Sequence, residues 1–272
     1  AIAIALAACG GDDHAAIDAG SDASGDAPTA LGTWDAPIVI AANRDELYSR
    51  PTRGPERLGP NLAGGVDVLS GGTWLAVRGD GQFAAVTNQL ALATPPLGLR
   101  SRGHAVRELA AADDPGAYVA SIDPTRYASM NLVWRGAGES HVSIVYTRRE
   151  QGTLEVEELG RGIHVLCNDR LGAPGFPRCG RLIAAIERAL AADATWPAIR
   201  QPLQVALADH ARVSLADTPA SHLPAELARE LTANCIHGEA YGTRSATMLA
   251  LGDGVIDYLH ADGPPCVTPF ID

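Results

Sequence analysis

The chain has 272 residues, a formal net charge of −11 and 46% hydrophobic residues, enough to bury one large core or two small ones. The acidic balance excludes a nucleic-acid partner, which needs a basic footprint to neutralise phosphates. All 21 basic residues are arginine, which excludes a P-loop lysine, a Schiff-base lysine and a kinase strand lysine.

In chain order, residues 1–8, AIAIALAA, form an apolar run too short to span a bilayer. Leu6-Ala7-Ala8-Cys9 has the shape of a lipoprotein signal-peptidase site. The Gly-, Ala-, Ser- and Asp-rich stretch after Cys9 has too little apolar bulk to offset its chain entropy. Residues 1–33 therefore read as a signal remnant and disordered acidic linker, and residues 34–272 as the folded domain. A lipid on Cys9 would tether the protein, extracytoplasmically, to a bacterial cell envelope. In that oxidising space Cys167, Cys179, Cys235 and Cys266 fit two disulfides of unassigned connectivity, and equally four buried thiols.

From Pro37 onward, strand-like and helix-like pieces alternate. Ile38–Ala42 is a continuous apolar run, as in a strand buried on both faces. Residues 73–77 and 82–87 flank Arg78-Gly79-Asp80-Gly81, which suits a hairpin turn; the three pieces read as one antiparallel sheet. Further strands are predicted over 130–134, 141–146, 162–167, 245–251 and 255–260, with Asp253-Gly254 as a second hairpin turn. Helices are predicted over 181–192, 197–210 and 223–232 from their apolar stripes. Strands at both ends around a helical middle indicate an α+β fold.

The polar run Asn43-Arg44-Asp45-Glu46 follows directly on the buried strand. Alternation sets Asn43 and Asp45 on one face and Arg44 and Glu46 on the other, where a local Arg44–Glu46 ion pair is the plain structural reading. Gly71-Gly72-Thr73-Trp74-Leu75, Thr87-Asn88, Ser101-Arg102-Gly103 and Tyr241-Gly242-Thr243-Arg244-Ser245-Ala246-Thr247 follow. Together with AANRDE and Arg50-Pro51, this series resembles the NRDE family, also called the transport and Golgi organisation 2 family, over about residues 34 to 260.

That family resembles N-terminal nucleophile hydrolases, which implies a four-layer αββα sandwich of antiparallel sheets. In those enzymes a chain-terminal Cys, Ser or Thr attacks an amide and its own α-amine, titrating near 7.7–8.0, serves as base. The resemblance implies that Asp45 orients the amine and nucleophile, that Asn168 donates to an oxyanion with Asn88 as a second donor, and that Arg244 binds a carboxylate or completes the polar network. The plain alternatives are that Asn168 caps a turn and that Arg244 neutralises Asp45. Asn43 and Arg44 complete the expected ligand-binding set; no cofactor or metal is expected, Cys235-Ile236-His237 fitting no standard attachment spacing.

Members of that family begin Met-Cys and run through a hydrophobic strand into AANRDE. Here about twenty residues before Asn43 lies GSDASGDAP, with neither a cysteine nor a strand pattern. The expected function is therefore a membrane-tethered protein that binds a small acyl or amide ligand in an N-terminal-nucleophile-like pocket without the usual nucleophile. The alternative is an active amide hydrolase whose nucleophile is exposed by processing or by a corrected gene start.

Overall fold

The structure is a computed structural model that describes residues 2–9, 38–89, 96–219 and 223–272. It contains strands β1 (Ile2–Cys9), β2 (Ile38–Leu47), β3 (Thr52–Gly59), β4 (Leu62–Asp67), β5 (Leu75–Arg78) and β6 (Phe83–Asn88), then helices α1 (Arg102–Ala111) and α2 (Pro115–Ala120). Strands β7 (Met130–Arg135), β8 (Val142–Arg148), β9 (Thr153–Leu159) and β10 (Gly162–Leu166) follow. Helices α3 (Pro177–Ala192), α4 (Trp196–Leu207) and α5 (Ala225–Glu230) lead to β11 (Tyr241–Leu251) and β12 (Val255–Ala261).

Two sheets result. Strands β3 to β9 pair in sequence order as a seven-stranded antiparallel meander, and the second sheet has the order β10-β1-β2-β11-β12. Three apolar cores define four layers. Val39 and Ala41 of β2 face Leu182, Ile186 and Leu190 of α3 and Ile199 and Leu203 of α4. Ile38, Ile40 and Ala42, on the other face of β2, pack with Leu75, Phe83, Val133 and Ile144 of the meander. The far face of the meander, with Ala76, Ala84 and Leu132, is covered by Val106 and Leu109 of α1. The expected αββα sandwich is thus present, and the continuous apolar run at 38–42 is explained: β2 lies between two cores, so neither face is polar.

Several expectations are corrected. β2 does not share a sheet with β5 and β6; it packs face to face against them. Strands β3, β4 and β9 and helices α1 and α2 carry too few apolar residues in register to be read from pattern. The larger correction concerns the N-terminus: Ile2–Cys9 is a strand lying parallel between β10 and β2. Residues 2–9 thus take a place in the sheet, as a strand that the expected boundary at 33/34 leaves outside the folded domain. A hairpin is not needed to join β1 to β2, because residues 10–37 exceed the dozen or so residues that a parallel connection requires. This strand also makes the second sheet mixed rather than antiparallel. The linker expected up to residue 33 lies outside the described residues except for Ile2–Cys9.

Turn chemistry and close approach account for the glycines that matter most. Gly81 turns β5 into β6 at φ 82°, a left-handed conformation that glycine adopts without steric cost. Gly65 lies in β4, where an added Cβ would overlap the Trp74 ring. We expect Gly65→Ala to destabilise the fold by about 1–3 kcal/mol through overpacking, read as a lower urea midpoint with an unchanged slope; an unchanged midpoint would refute this contact.

Candidate functional site

The C-terminal half of β2 carries the polar run, and pleating separates its side chains as alternation requires. Asn43 and Asp45 face α3 and α4, whereas Arg44 faces the meander. Arg44 lies over the Trp74 ring at 4.3 Å and 3.8 Å from Glu46, so the ion pair of the plain reading exists. Burial lowers the affinity of the Arg44 guanidinium for its proton, with Glu46 and Asp67 opposing that shift. Arg44 is therefore on the wrong face to share a ligand with Asp45. Asn43 is on the right face, but its amide nitrogen donates to the carbonyls of Leu207 and Asn234, both at 2.8 Å. It ties α4 to the segment before β11, a structural task in place of the expected ligand contact.

Asp45 has a completely buried side chain. Thr243 on β11 donates its hydroxyl to Asp45 Oδ1 at 2.6 Å, and Arg178 Nη1 on α3 lies 3.8 Å from Oδ2. Arg178 Nη2 also donates to Asn168 Oδ1 at 3.1 Å, and Asn168 Nδ2 donates to the Asn88 carbonyl at 3.2 Å. Asp45, Asn168 and Asn88, distant in sequence, are thus joined, although Asn88 enters this chain of contacts through its main chain. The linking residue, Arg178, was not anticipated. Its signal was available: Arg178, Leu182, Ile186 and Leu190 form one buried stripe on α3, and an arginine in an apolar stripe demands a buried acceptor.

Two local devices hold this arrangement. In β11, Thr243 pairs with Asp45 and Ser245 with Arg44, so Arg244 is the extra residue of a β-bulge. Beyond the bulge, Ala246 and Met248 face the helices; without it, Thr243 would face the meander instead. The bulge thereby brings Thr243 to Asp45 and turns Arg244 outward. The Arg244 guanidinium donates to the carbonyls of Leu47, Tyr48 and Arg50 at 3.1, 2.9 and 3.3 Å. The reading that Arg244 neutralises Asp45 is corrected: Arg178 does so. The second device is the Cys167–Cys179 disulfide, whose cysteines directly adjoin Asn168 and Arg178, tethering the two ends of that contact. Cys235 and Cys266 are free, so the four cysteines make one disulfide.

Other motif segments are structural. Ser101 caps α1 by accepting from the Gly103 amide at 3.2 Å, and Thr73 N donates to the Gly103 carbonyl at 3.1 Å. Gly72 and Gly103 let the two backbones approach where side chains would collide.

A surface cleft of about 510 Å³ opens beside Asp45, lined by Tyr48, Thr52, Thr243, Arg244, Asp262 and Pro264. Burial leads the causes that raise the Tyr48 phenol above its ordinary range, with Arg244 opposing, so at neutral pH Tyr48 presents an O–H. Arg50 donates to Asp67 at 2.6 Å. Burial would raise the Asp67 carboxyl, but hydrogen bonds from Arg50 and Ser70 outweigh it and hold the group below its ordinary range. The backbone register of β1 sets Cys9 across from Asp45.

A family model described as Transport and Golgi organisation 2 matches residues 26–254. The Bos taurus protein named Transport and Golgi organization protein 2 homolog is 30% identical over 241 residues, covering 81% of this chain and 84% of that protein. The Homo sapiens protein of that name is 28% identical over 237 residues, with the same coverage. Among solved structures, the Caenorhabditis elegans ortholog of N-acylethanolamine-hydrolyzing acid amidase aligns with a TM-score of 0.46 and 11% identity, over 80% of this chain and 93% of that one. The family match includes Asp45, Asn168, Arg178 and Arg244 and leaves out β1 and Cys266.

Removing one member of a buried ion pair leaves its partner's desolvation uncompensated, at about 3–5 kcal/mol. Arg178→Ala is expected to destabilise the protein by that amount in urea denaturation. In a cycle with Asp45→Asn, the double variant is expected to lose at least about 1 kcal/mol less than the sum of the single losses. Additive losses would show that Arg178 and Asp45 do not act as a pair.

Proposed function

The chain belongs to the transport and Golgi organisation 2 family, and from that premise we propose that it binds a small acyl or amide-bearing molecule in the cleft beside Asp45. The observation that carries this reading is the polar lining of the cleft by Tyr48, Arg244 and Asp262, directly in front of the fully buried Thr243 that donates to the Asp45 carboxylate. Ligand contact there is coupled to a charge network that is costly to bury and already in place. The lining also matches an amide chemically. Arg244 and the Tyr48 hydroxyl offer donors to a carbonyl or carboxylate, and Asp262 offers an acceptor to an amide N–H.

The register of Cys9 against Asp45 favours a second reading, amide hydrolysis with Cys9 as nucleophile. Its thiolate sulfur would bond to the carbonyl carbon, the thiol proton would pass to the departing amine, and water would then cleave the thioester. Within the chain, however, the Cys9 nitrogen belongs to a peptide bond and is no base. The hydrolytic form therefore requires removal of residues 1–8, as does a lipidated Cys9, and that removal takes away nearly all of β1.

Thermal-shift and calorimetric titration with a panel of N-acyl amides and short-chain carboxylates tests the binding reading. At least one class is expected to bind without turnover, and Arg244→Ala is expected to weaken it about tenfold through loss of a charged donor. Absence of binding across the panel, or an affinity indifferent to Arg244→Ala and Thr243→Val, would remove the proposal. Turnover abolished by both Cys9→Ser and Asp45→Asn, in protein whose intact mass begins at Cys9, would replace it with the hydrolytic reading.

A further inference from the structure

The chain brings two histidines and two cysteines together at a place the amide-binding reading does not use. His210 follows α4, Cys235 and His237 precede β11, and Cys266 follows β12. One ligand atom from each lies within 4.8 Å of the other three. The sulfurs of Cys235 and Cys266 are 3.7 Å apart, and His237 Nε2 lies 3.7 Å from the first and 3.2 Å from the second. A disulfide would need about 2.05 Å between the sulfurs. A tetrahedral zinc ion with bonds of about 2.3 Å to sulfur and 2.0–2.1 Å to nitrogen needs edges of about 3.8 Å between sulfurs and about 3.5 Å from sulfur to nitrogen. The three contacts match those edges to within a few tenths of an ångström.

His210 completes the set. Its Nδ1 lies 3.0 Å from the Cys235 carbonyl, and its ring centroid is 4.9 Å from that of His237. The imidazole is exposed, so a small rotation toward the ion breaks little packing. We propose that His210, Cys235, His237 and Cys266 form a structural site for one zinc-class divalent ion. Two thiolates and two imidazoles select a borderline-soft metal over magnesium or calcium, and four protein ligands close the coordination sphere. On binding, the two thiol protons pass to solvent, and the dication with two thiolates and two neutral imidazoles carries no net charge.

The site would staple three chain segments to the candidate cleft. Between Cys235 and His237, the Ile236 amide donates to Thr243 Oγ1 at 2.9 Å and its carbonyl accepts from the Thr243 amide at 2.9 Å. On the other side, Gly263 and Pro264, just before Cys266, line the cleft. A bound ion would therefore fix the partner of Asp45 and the opposite cleft wall to one point. The inference does not depend on what the cleft binds, because its readout is the metal.

The full chain, purified under reductant without chelator, is expected to hold about one equivalent of zinc by elemental analysis. Chelation followed by cobalt(II) chloride should give thiolate-to-cobalt charge-transfer absorption and the visible bands of a tetrahedral ion. Cys266→Ser and His237→Ala are each expected to weaken zinc binding by at least about tenfold, while His164→Ala, on β10, leaves stoichiometry and affinity unchanged. The wild-type cobalt spectrum needs no variant and stands even if a ligand variant fails to fold. Less than about a tenth of an equivalent after reconstitution with zinc chloride under reductant would overturn the site. So would full-affinity binding by the Cys235→Ser/Cys266→Ser variant, or a cobalt spectrum without sulfur charge transfer.

Discussion

Arg178 and Asp45 meet at the boundary between a sheet and its covering helices, both almost wholly excluded from water. Moving such ions out of water costs several kcal/mol each, and their attraction offsets this only where geometry and further hydrogen bonds are good. The surrounding architecture supplies both. α3 must place its first turn over the end of β2, β11 must bulge at Arg244 to bring the Thr243 hydroxyl round, and the 167–179 segment must hold Asn168 against the same guanidinium. A helix shifted by one turn, about 5.4 Å, would abolish the contact.

This constraint separates residues that build the site from those that support it. Asn43 spends its amide donors on two carbonyls, and Arg244 spends one guanidinium nitrogen on three. Arg44 serves the opposite face, where Gly65 makes room for the Trp74 ring it lies over. Several parts of the motif series thus keep two backbones close or cap a helix, whereas Asp45, Thr243 and Arg244 touch the candidate cleft or its charge network and Asn88 joins that network through its carbonyl. Sharing a fold leaves function open; the cleft and its polar lining carry the functional argument.

The histidine–cysteine cluster adds a second clamp on the same region. It draws on the loop after α4, the approach to β11 and the tail beyond β12. Burial, reinforced by Cys266, pushes the Cys235 thiol up to about 12, so without an ion that sulfur keeps its proton. The cluster and the Asp45 network share Ile236 and Thr243, which makes the strand β11 the common support of both.

The sequence by itself determined the α+β character, the buried apolar run of β2, the hairpin turns at Asp80-Gly81 and Asp253-Gly254, and the amphipathic stripes of α3 and α4. Those features rest on local periodicity and turn chemistry, which operate within a few residues. What the tertiary structure decided depends on contacts across long sequence separations. β1 became a sheet strand through backbone pairing with β10 and β2, both remote in sequence from a run that looks like an address in isolation. Arg178 found Asp45, and Cys266 found Cys235 and His237, only after the chain had folded back on itself. A one-residue bulge, invisible to periodicity, determined which side of β11 would face the site, since every shift of one residue turns each side chain to the opposite face.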